Sequence, residues 1–328
     1  GGRINLMTTH AEPRIHTSVI RPDLSVVIPV YRSKDTLKEL LHRTVESFSN
    51  SRVEIEVLMV EDCGRDGSWD AIEALAADQP VLRGIRLSRN FGQHAATICG
   101  MAMARGNWVA TMDDDLEQPP EKLPELLEKA MEGYDLVYGV YPERTHAAWR
   151  NITSHLARIL LKLAIPTLND TYTSMRVIRG DLARELKRFD SPFPFVDGYL
   201  SWLTNCCACV EISHQSRPAG KSNYTFGKLF AHTLNIFVTF SDAPIKLASN
   251  AGLFFSLIGF SALAVVLIGR LVGAITAVGY ASVMAAILAV GGIQLLVLGI
   301  LGEYIGRINF KTSRKPLYLV AYDTEAAK

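Results

Sequence analysis

The stretch Leu24-Ser-Val-Val-Ile-Pro-Val30 decides the fold of the N-terminal part of the chain. It is a short apolar run rich in β-branched residues, which predicts a buried strand. A helix-like spacing of apolar residues follows it, with Ser33 as the expected N-cap. Together they predict one strand–helix unit of a parallel sheet.

The same unit recurs along the chain. Strands that alternate with helices predict an α/β fold with a mostly parallel sheet and right-handed crossovers. Ligands of such sheets bind beyond the carboxyl ends of the strands. The side chains expected at that edge are Tyr31, Asp62, Asn90 and Asp113 to Asp115. The predicted strands are Leu24–Val30, Ile55–Val60, Val81–Leu87, Trp108–Met112 and Asp135–Val140.

Charge is balanced over the chain but unevenly distributed. There are 34 Lys and Arg against 33 Asp and Glu, a formal net charge of +1, which excludes a nucleic-acid-coating protein and a disordered tail. Between Leu247 and Gly302 the only charged residue is Arg270. The uncharged runs Leu247–Gly269 and Leu271–Gly302 are each long enough to span a bilayer. We therefore expect a hairpin of two transmembrane helices.

Further units are expected around this hairpin. The residues before Met7 resemble a tag remnant. Tyr224–Phe240 has the mixed pattern of a helix in the membrane interface, although a core helix fits nearly as well. Basic residues flank the hairpin, so the catalytic part is expected on the cytosolic side of the inner membrane. The units are 1–23 (tail), 24–223 (catalytic domain), 224–246 (interfacial helices), 247–304 (hairpin) and 305–328 (cytosolic tail).

The five cysteines are expected to be free thiols. Their number is odd, and three crowd into the segment from Cys206 to Cys209, which suits a reducing compartment rather than a disulfide framework. This segment lacks a second ligand pair at zinc spacing, so we expect small buried side chains there.

The segment Met112-Asp-Asp-Asp-Leu-Glu-Gln-Pro-Pro-Glu121 carries the strongest chemical signal. Three successive carboxylates repel one another unless a cation or hydrogen-bond donors compensate their charge. Mg²⁺ or Mn²⁺ binds one or two carboxylates together with phosphate oxygens, so the cluster predicts a diphosphate substrate held through a metal. The alternative is an acidic N-terminus that complements the dipole of the next helix.

Four motifs occur in a defined order. They are Val26-Val-Ile-Pro-Val-Tyr31, Val60-Glu-Asp-Cys-Gly-Arg-Asp-Gly-Ser68, Ser88-Arg-Asn-Phe-Gly-Gln-His94 and the Asp113 cluster. This series resembles the GT-A fold glycosyltransferases of family 2. With the expected hairpin, the chain resembles the polyprenyl-phosphate branch, close to dolichol-phosphate mannose synthase and the bacterial undecaprenyl-phosphate sugar transferases. The likeness covers almost all of residues 24–315.

The resemblance implies a nucleotide-sugar donor, with UDP as the expected nucleotide, and a role for each matching residue. Asp115 and Glu117 would hold Mg²⁺ or Mn²⁺, with Glu117 standing where relatives usually have Gln. Asp113 and Asp115 would act in catalysis, and Asp62 would accept hydrogen bonds from the base or ribose. The implied nucleotide-binding residues are Pro29, Tyr31, Asp62, Asn90, Gly92, Asp113 and Asp114.

The resemblance also implies a site for the phosphate of a polyprenyl phosphate. Arginine suits it because its fork binds phosphate bidentately, although each basic residue alone fits a solvated surface charge. Asp170 is only a weak candidate for a base, and a phosphate monoester is already largely ionised at pH 7. The implied acceptor residues are Arg144, Arg150, Ser154, Arg217, Lys221, Ser222 and Tyr224. Of these, Arg144, Arg150, Ser154 and Arg217 are also assigned to catalysis, together with Arg176.

The implied reaction is an inverting, metal-dependent transfer of a sugar to polyprenyl (undecaprenyl) phosphate at the cytosolic membrane face. A processive polysaccharide synthase is disfavoured because the chain has no Gln-x-x-Arg-Trp motif. A catalytically silent, membrane-anchored scaffold that binds nucleotide sugars is disfavoured by the intact carboxylates of Asp113 and Asp115. Membrane lipids and further copies of the chain are expected partners, and nucleic acid is not.

Overall fold

The structure, a computed structural model, describes residues 21–141, 172–189, 191, 194–212, 279–312 and 316–326, with scattered positions between 250 and 272. The strands are β1 (Leu24–Val30), β2 (Ile55–Glu61), β3 (Leu82–Leu87), β4 (Trp108–Thr111), β5 (Leu136–Val140), β6 (Arg176–Arg179), β7 (Cys207–Glu211) and β8 (Val320–Asp323). The helices are α1 (Leu37–Glu46), α2 (Ser68–Asp78), α3 (Gln93–Met103), α4 (Leu123–Met131), α5 (Gly180–Glu185), α6 (Val196–Leu203) and α7 (Tyr280–Thr312). Short 3₁₀ turns lie at Pro120–Lys122 and Leu186–Arg188.

The described strands form one sheet in the order β7-β5-β6-β4-β1-β2-β3-β8. β1 pairs in parallel with β2 and β4, β2 pairs in parallel with β3, and β5 pairs in parallel with β7. β6 runs antiparallel between β4 and β5, and β8 is antiparallel to β3. This GT-A-like α/β arrangement confirms the predicted, mostly parallel sheet.

Helices cover both faces of the sheet, and β1 is therefore buried along its whole length. Val26, Ile28 and Val30 face the core formed with α1, α2 and α4, while Val27 faces the core formed with α3, α5 and α6. A continuous apolar run is typical of a parallel strand covered on both sides. α3 packs so close to β1 that a Cβ on Gly100 would lie 2.3 Å from Cγ1 of Val27.

Two local predictions are wrong. α1 begins at Leu37 with Thr36 at the N-cap position, because Ser33 lies in the preceding turn and donates its backbone N–H to Oγ of Ser68 at 3.2 Å. In the segment predicted to be buried, Cys206 and Cys209 are exposed. The physical reason is that β7 is an edge strand of the sheet. All five cysteines have free thiols.

The C-terminal part also differs from the prediction. α7 has 33 residues and continues past Gly302, where the second uncharged run ends, to Thr312. Val320–Asp323 then rejoins the sheet as β8 instead of forming a separate tail. Counted over the described residues, no helix combines the length and apolarity needed to cross a membrane. The hairpin at 247–304 thus stays a prediction, and the predicted interfacial helices at 224–246 lie outside the described residues.

Candidate active site

The loop after β4 carries the three successive aspartates and folds back at Leu116. The φ of Leu116 is +62°, a left-handed value that is uncommon for a residue other than glycine. Gln118 closes this turn, because its Oε1 accepts the backbone N–H of Asp113 and its Nε2 donates to Asp113 Oδ2, both at 2.9 Å. These bonds fix the position of Asp113 within the loop.

Asp113 is surrounded by donors from other parts of the chain. Nε2 of Gln93, at the start of α3, donates to Oδ1 at 2.6 Å, and Oγ of Ser174 donates to Oδ2 at 2.5 Å. Burial raises the pKa of Asp113 to about 6; the bond from Ser174 opposes this shift, and the charges of the two following aspartates add to it. The loop therefore holds negative charge that its own donors do not fully compensate.

Asp114 connects the acidic loop to the loop after β1. Its Oδ2 accepts the backbone N–H of Tyr31 at 2.9 Å, and its carbonyl oxygen accepts the hydroxyl of Thr36 at 2.7 Å. Burial raises the pKa of Asp114, although hydrogen bonds from Ser33 and Tyr31 lower it. In this structure Asp114 holds two loops together, and its contact with a nucleotide stays a prediction.

Asp115 and Glu117 share one short turn, in which Oδ1 of Asp115 accepts the backbone N–H of Glu117 at 3.1 Å. Among the described residues, no group of three or more His, Cys, Asp or Glu side chains forms a ready-made metal site. Mg²⁺ does not require one, since it binds through one or two carboxylates and completes its shell with water and substrate phosphates. The two neighbouring carboxylates and the raised pKa of Asp113 fit such an ion.

We expect divalent-cation binding to weaken as the pH falls through about 6. The Asp113 carboxyl is ionised above its pKa of about 6 and neutral below it, and its negative charge favours a cation held by the neighbouring Asp115 and Glu117. The affinity for Mn²⁺ alone, followed by electron paramagnetic resonance, should be about fourfold lower at pH 5.5 than at pH 7.5. Asp113→Asn should lose most of this difference. Equal wild-type affinities for Mn²⁺ at the two pH values would show that the charge of Asp113 does not contribute to cation binding.

Asp62 faces backbone donors of the loop after β3. It is 2% exposed, and its two carboxylate oxygens accept the N–H groups of Phe91 and Gly92 at 2.7 and 2.8 Å. Burial raises the pKa of Asp62, and these two bonds oppose the shift. In this structure Asp62 positions the neighbouring loop, and the predicted bond from a base or ribose would have to share its carboxylate.

The remaining predicted nucleotide-binding residues occupy different environments. Tyr31 and Asn90 are exposed, as expected of residues at the carboxyl edge of the sheet. Gly92 is half-buried and has a φ of +92°. Pro29 is buried inside β1, behind the edge, and its contact with a nucleotide stays a prediction.

Arg176, predicted as a catalytic residue, is buried behind the acidic loop. It is 3% exposed, forms an ion pair with Asp197 and donates from Nε to Oγ1 of Thr111 at 3.0 Å. Thr111 donates in turn to the carbonyl oxygen of Ser174 at 2.5 Å, and Ser174 binds Asp113. In this structure Arg176 supports the residues behind Asp113, because its guanidinium is already committed to protein partners, and its catalytic role stays a prediction.

The predicted acceptor residues are not placed by the structure. Outside the described residues lie Arg144, Arg150, Ser154, Asp170, Arg217, Lys221, Ser222 and Tyr224. Conversely, sequence reasoning missed Gln93, Gln118 and Ser174 as partners of Asp113. For two of them the sequence held a signal, since Gln118 lies in the acidic motif and Gln93 lies in the Ser88–His94 motif.

Fold and site together define an α/β domain with an acidic, metal-compatible loop at the carboxyl edge of its sheet. The profile of Glycosyl transferase family 2 matches residues 25–185, and that of the GtrB C-terminal hairpin matches residues 243–308. The chain belongs to glycosyltransferase family 2, as the following similarities over most of its length show.

Three relatives align with about nine tenths of this chain. The uncharacterized glycosyltransferase YkcC of Bacillus subtilis (strain 168) is 33% identical over 298 residues, which cover 90% of this chain and 92% of YkcC. The undecaprenyl-phosphate 4-deoxy-4-formamido-L-arabinose transferase of Pseudomonas aeruginosa (strain LESB58) is 32% identical. The alignment covers 90% of this chain and 89% of that transferase. The bactoprenol glucosyl transferase of Shigella phage SfX is 30% identical, and the alignment covers 90% of this chain and 98% of the phage protein.

Proposed function

We propose that this protein transfers one sugar from a nucleotide-sugar, with UDP as the expected nucleotide, to undecaprenyl phosphate with inversion of the anomeric centre. The observation that carries the proposal is the acidic loop, in which Asp115 and Glu117 share a turn beside the half-buried carboxylate of Asp113. Relatives that align over nine tenths of the chain are named for transfer to undecaprenyl phosphate and bactoprenol, which supports the choice of acceptor.

On the donor side, Asp115 and Glu117 would hold Mg²⁺ or Mn²⁺ against the diphosphate. Bound there, the ion supplies positive charge that stabilises the leaving nucleoside diphosphate. Gln93, Gln118 and Ser174 hold Asp113 in place, so the carboxylate needs no reorganisation when the donor arrives. Tyr31, Asp62, Asn90 and Gly92 are the proposed nucleotide contacts, with Pro29 behind them.

On the acceptor side, the phosphate itself is the nucleophile. One of its oxygens forms a bond to the anomeric carbon while the bond from that carbon to the diphosphate oxygen breaks, and the nucleoside diphosphate leaves with the electron pair. No proton has to be removed, because the phosphate monoester is largely dianionic at pH 7. The side chains proposed to position it are Arg144, Arg150, Ser154, Arg217, Lys221, Ser222 and Tyr224.

The acceptor is a lipid, and we propose that residues 224–246 lie in the membrane interface and residues 247–304 form a hairpin in the inner membrane. The match of the GtrB C-terminal hairpin profile to residues 243–308 supports this division. So do the apolar side chains that α7 exposes, among them Ile287, Leu295 and Leu298. The catalytic domain would face the cytosol, and association of several copies in the membrane is part of the proposal.

We expect the purified full chain, with Mn²⁺ or Mg²⁺, to convert at least one of a panel of UDP- and GDP-sugars into a sugar phosphate of undecaprenol. The assay follows radioactivity that partitions into the organic phase, and EDTA should stop the reaction. The control variant Glu125→Gln, which removes an exposed carboxylate of α4 away from the acidic loop, should form the product at the wild-type rate. No lipid-linked sugar from any donor would refute the proposal. Products with several sugars would favour a processive synthase.

A further inference from the structure

A row of paired residues crosses three strands at the edge of the sheet that carries β8. Glu61 of β2 pairs with Arg86 of β3, and Arg86 pairs with Tyr322 of β8. Directly paired residues of neighbouring strands place their side chains on the same face. The C-terminal strand therefore adds a side chain beside Arg86, next to the end of the strand that leads into Asp62.

Arg86 is the centre of this row. Its Nε lies 3.2 Å from Oε2 of Glu61, and its guanidinium carbon lies 5.9 Å from the ring centre of Trp69 and 6.0 Å from that of Tyr322. Glu61 is 1% exposed, so its charge needs a compensating partner, and Arg86 supplies one. Both rings lie within cation–π distance of the guanidinium and add to its favourable contacts.

Glu61 connects this row to the loop after β2. Its Oε1 accepts the backbone N–H of Gly64 at 2.5 Å, and Nε of Arg32 donates to the carbonyl oxygen of Gly64 at 3.3 Å. On either side of Gly64, Cys63 and Arg65 have positive φ angles of 55° and 56°. Residues other than glycine keep such angles only where their surroundings impose them. Glu61 is one of the contacts that impose this loop shape.

We propose that β8 completes the donor half of the active site. Tyr322 and Arg86 act as positioning residues that hold Glu61, and through it the loop from Asp62 to Arg65, in the shape that receives the nucleotide. The inference rests on the proposed function, which assigns this edge of the sheet to the donor. Donor affinity then depends on the segment after α7 being docked on the catalytic domain.

Other contacts hold β8 in place, which allows the ring of Tyr322 to be tested separately from the strand. Arg83 donates to both carboxylate oxygens of Asp323, at 3.1 and 2.7 Å. The backbone N–H of Gly84 donates to Oγ1 of Thr324 at 2.9 Å, and the N–H of Thr324 donates to the carbonyl oxygen of Gly84 at 3.0 Å. Removing the ring of Tyr322 should leave these bonds intact.

The kinetic test uses the full chain with metal and saturating undecaprenyl phosphate. Arg86→Ala should raise the KM for the nucleotide-sugar about tenfold, with kcat within about twofold of wild type. Tyr322→Ala should raise this KM about threefold, whereas Tyr322→Phe keeps the ring and should behave like wild type. The matched control is Leu319→Ala, which removes an exposed apolar side chain from the same segment and should leave the KM unchanged.

Hydrogen exchange gives a second readout that needs no substrate. Peptides that cover Cys63 to Asp66 should exchange faster in Arg86→Ala, while peptides from β1 should not change. Unchanged donor KM and unchanged loop exchange in a folded Arg86→Ala chain would overturn the inference, as would a Leu319→Ala effect equal to that of Tyr322→Ala. A wild-type chain that makes no lipid product would instead refute the proposed function, and the exchange result would still decide whether Arg86 positions the loop.

Discussion

Asp115→Ala is expected to lower sugar transfer about 10³-fold, because the charge that a bound cation contributes to the leaving group is worth several kcal/mol. Asp115 lies in the turn that brings it next to Glu117, and both are the proposed metal ligands. The rate of lipid-linked product formation at saturating donor and Mn²⁺ measures the effect. Calorimetry with Mn²⁺ and UDP should show that metal-dependent nucleotide binding is lost as well.

Glu117→Gln is the matched control at the same turn. It removes a charge but keeps an oxygen ligand, so we expect the rate of sugar transfer to fall about tenfold or less. Thermal melting curves of both variants should match the wild type, since neither side chain belongs to the hydrophobic core. Full activity and unchanged Mn²⁺ affinity in Asp115→Ala would remove Asp115 from the metal site.

Asp197→Ala is expected to lower the free energy of unfolding by about 3–5 kcal/mol, because it leaves the buried guanidinium of Arg176 without its ionic partner. Tyr138 also donates its hydroxyl to Oδ1 of Asp197, at 3.1 Å, so a second buried polar group loses an acceptor. Chemical denaturation followed by circular dichroism measures the loss. Activity should fall too, since Arg176 supports Thr111 behind the acidic loop.

Two further variants compare the stability contribution of the buried Arg176–Asp197 pair with that of an exposed ion pair. The double variant Arg176→Met with Asp197→Leu should be less destabilised than Asp197→Ala, because no uncompensated charge stays buried. Glu185→Ala breaks the exposed ion pair with Arg188 and should cost about 1 kcal/mol or less. If Asp197→Ala is no more destabilising than Glu185→Ala, the Arg176–Asp197 pair is not the support that we describe.

The sequence was sufficient to predict the central sheet because its strands are continuous apolar runs. β1 is buried on both faces, and its predicted bounds of Leu24 and Val30 agree with the structure. β6, β7 and β8 were not among the predicted strands. β6 has four residues and begins and ends with arginine, and β8 is separated from its partner β3 by more than two hundred residues. Such pairings depend on tertiary contacts that no local pattern encodes.

Within the candidate site, too, local sequence patterns could be read and tertiary contacts could not. The acidic cluster could be predicted because its members are consecutive, and the structure keeps Asp113, Asp114 and Asp115 in one loop. The partners of Asp113 and Asp62 could not be predicted, because Gln93, Ser174 and the N–H groups of Phe91 and Gly92 come from distant parts of the chain. The supporting contacts of Arg176 could not be predicted for a related reason, since its ion pair with Asp197 is formed only in the folded core.

Mass spectrometry of the lipid made from a mixed pool of nucleotide-sugars tests the central claim most directly, because it reports donor and acceptor together. The full chain, undecaprenyl phosphate and Mn²⁺ should yield one new lipid whose mass equals undecaprenyl phosphate plus a single sugar residue. Asp115→Ala, run in parallel, should yield none. Recovery of only unmodified undecaprenyl phosphate from the wild-type reaction, or release of the sugar into water without a lipid product, would contradict the account.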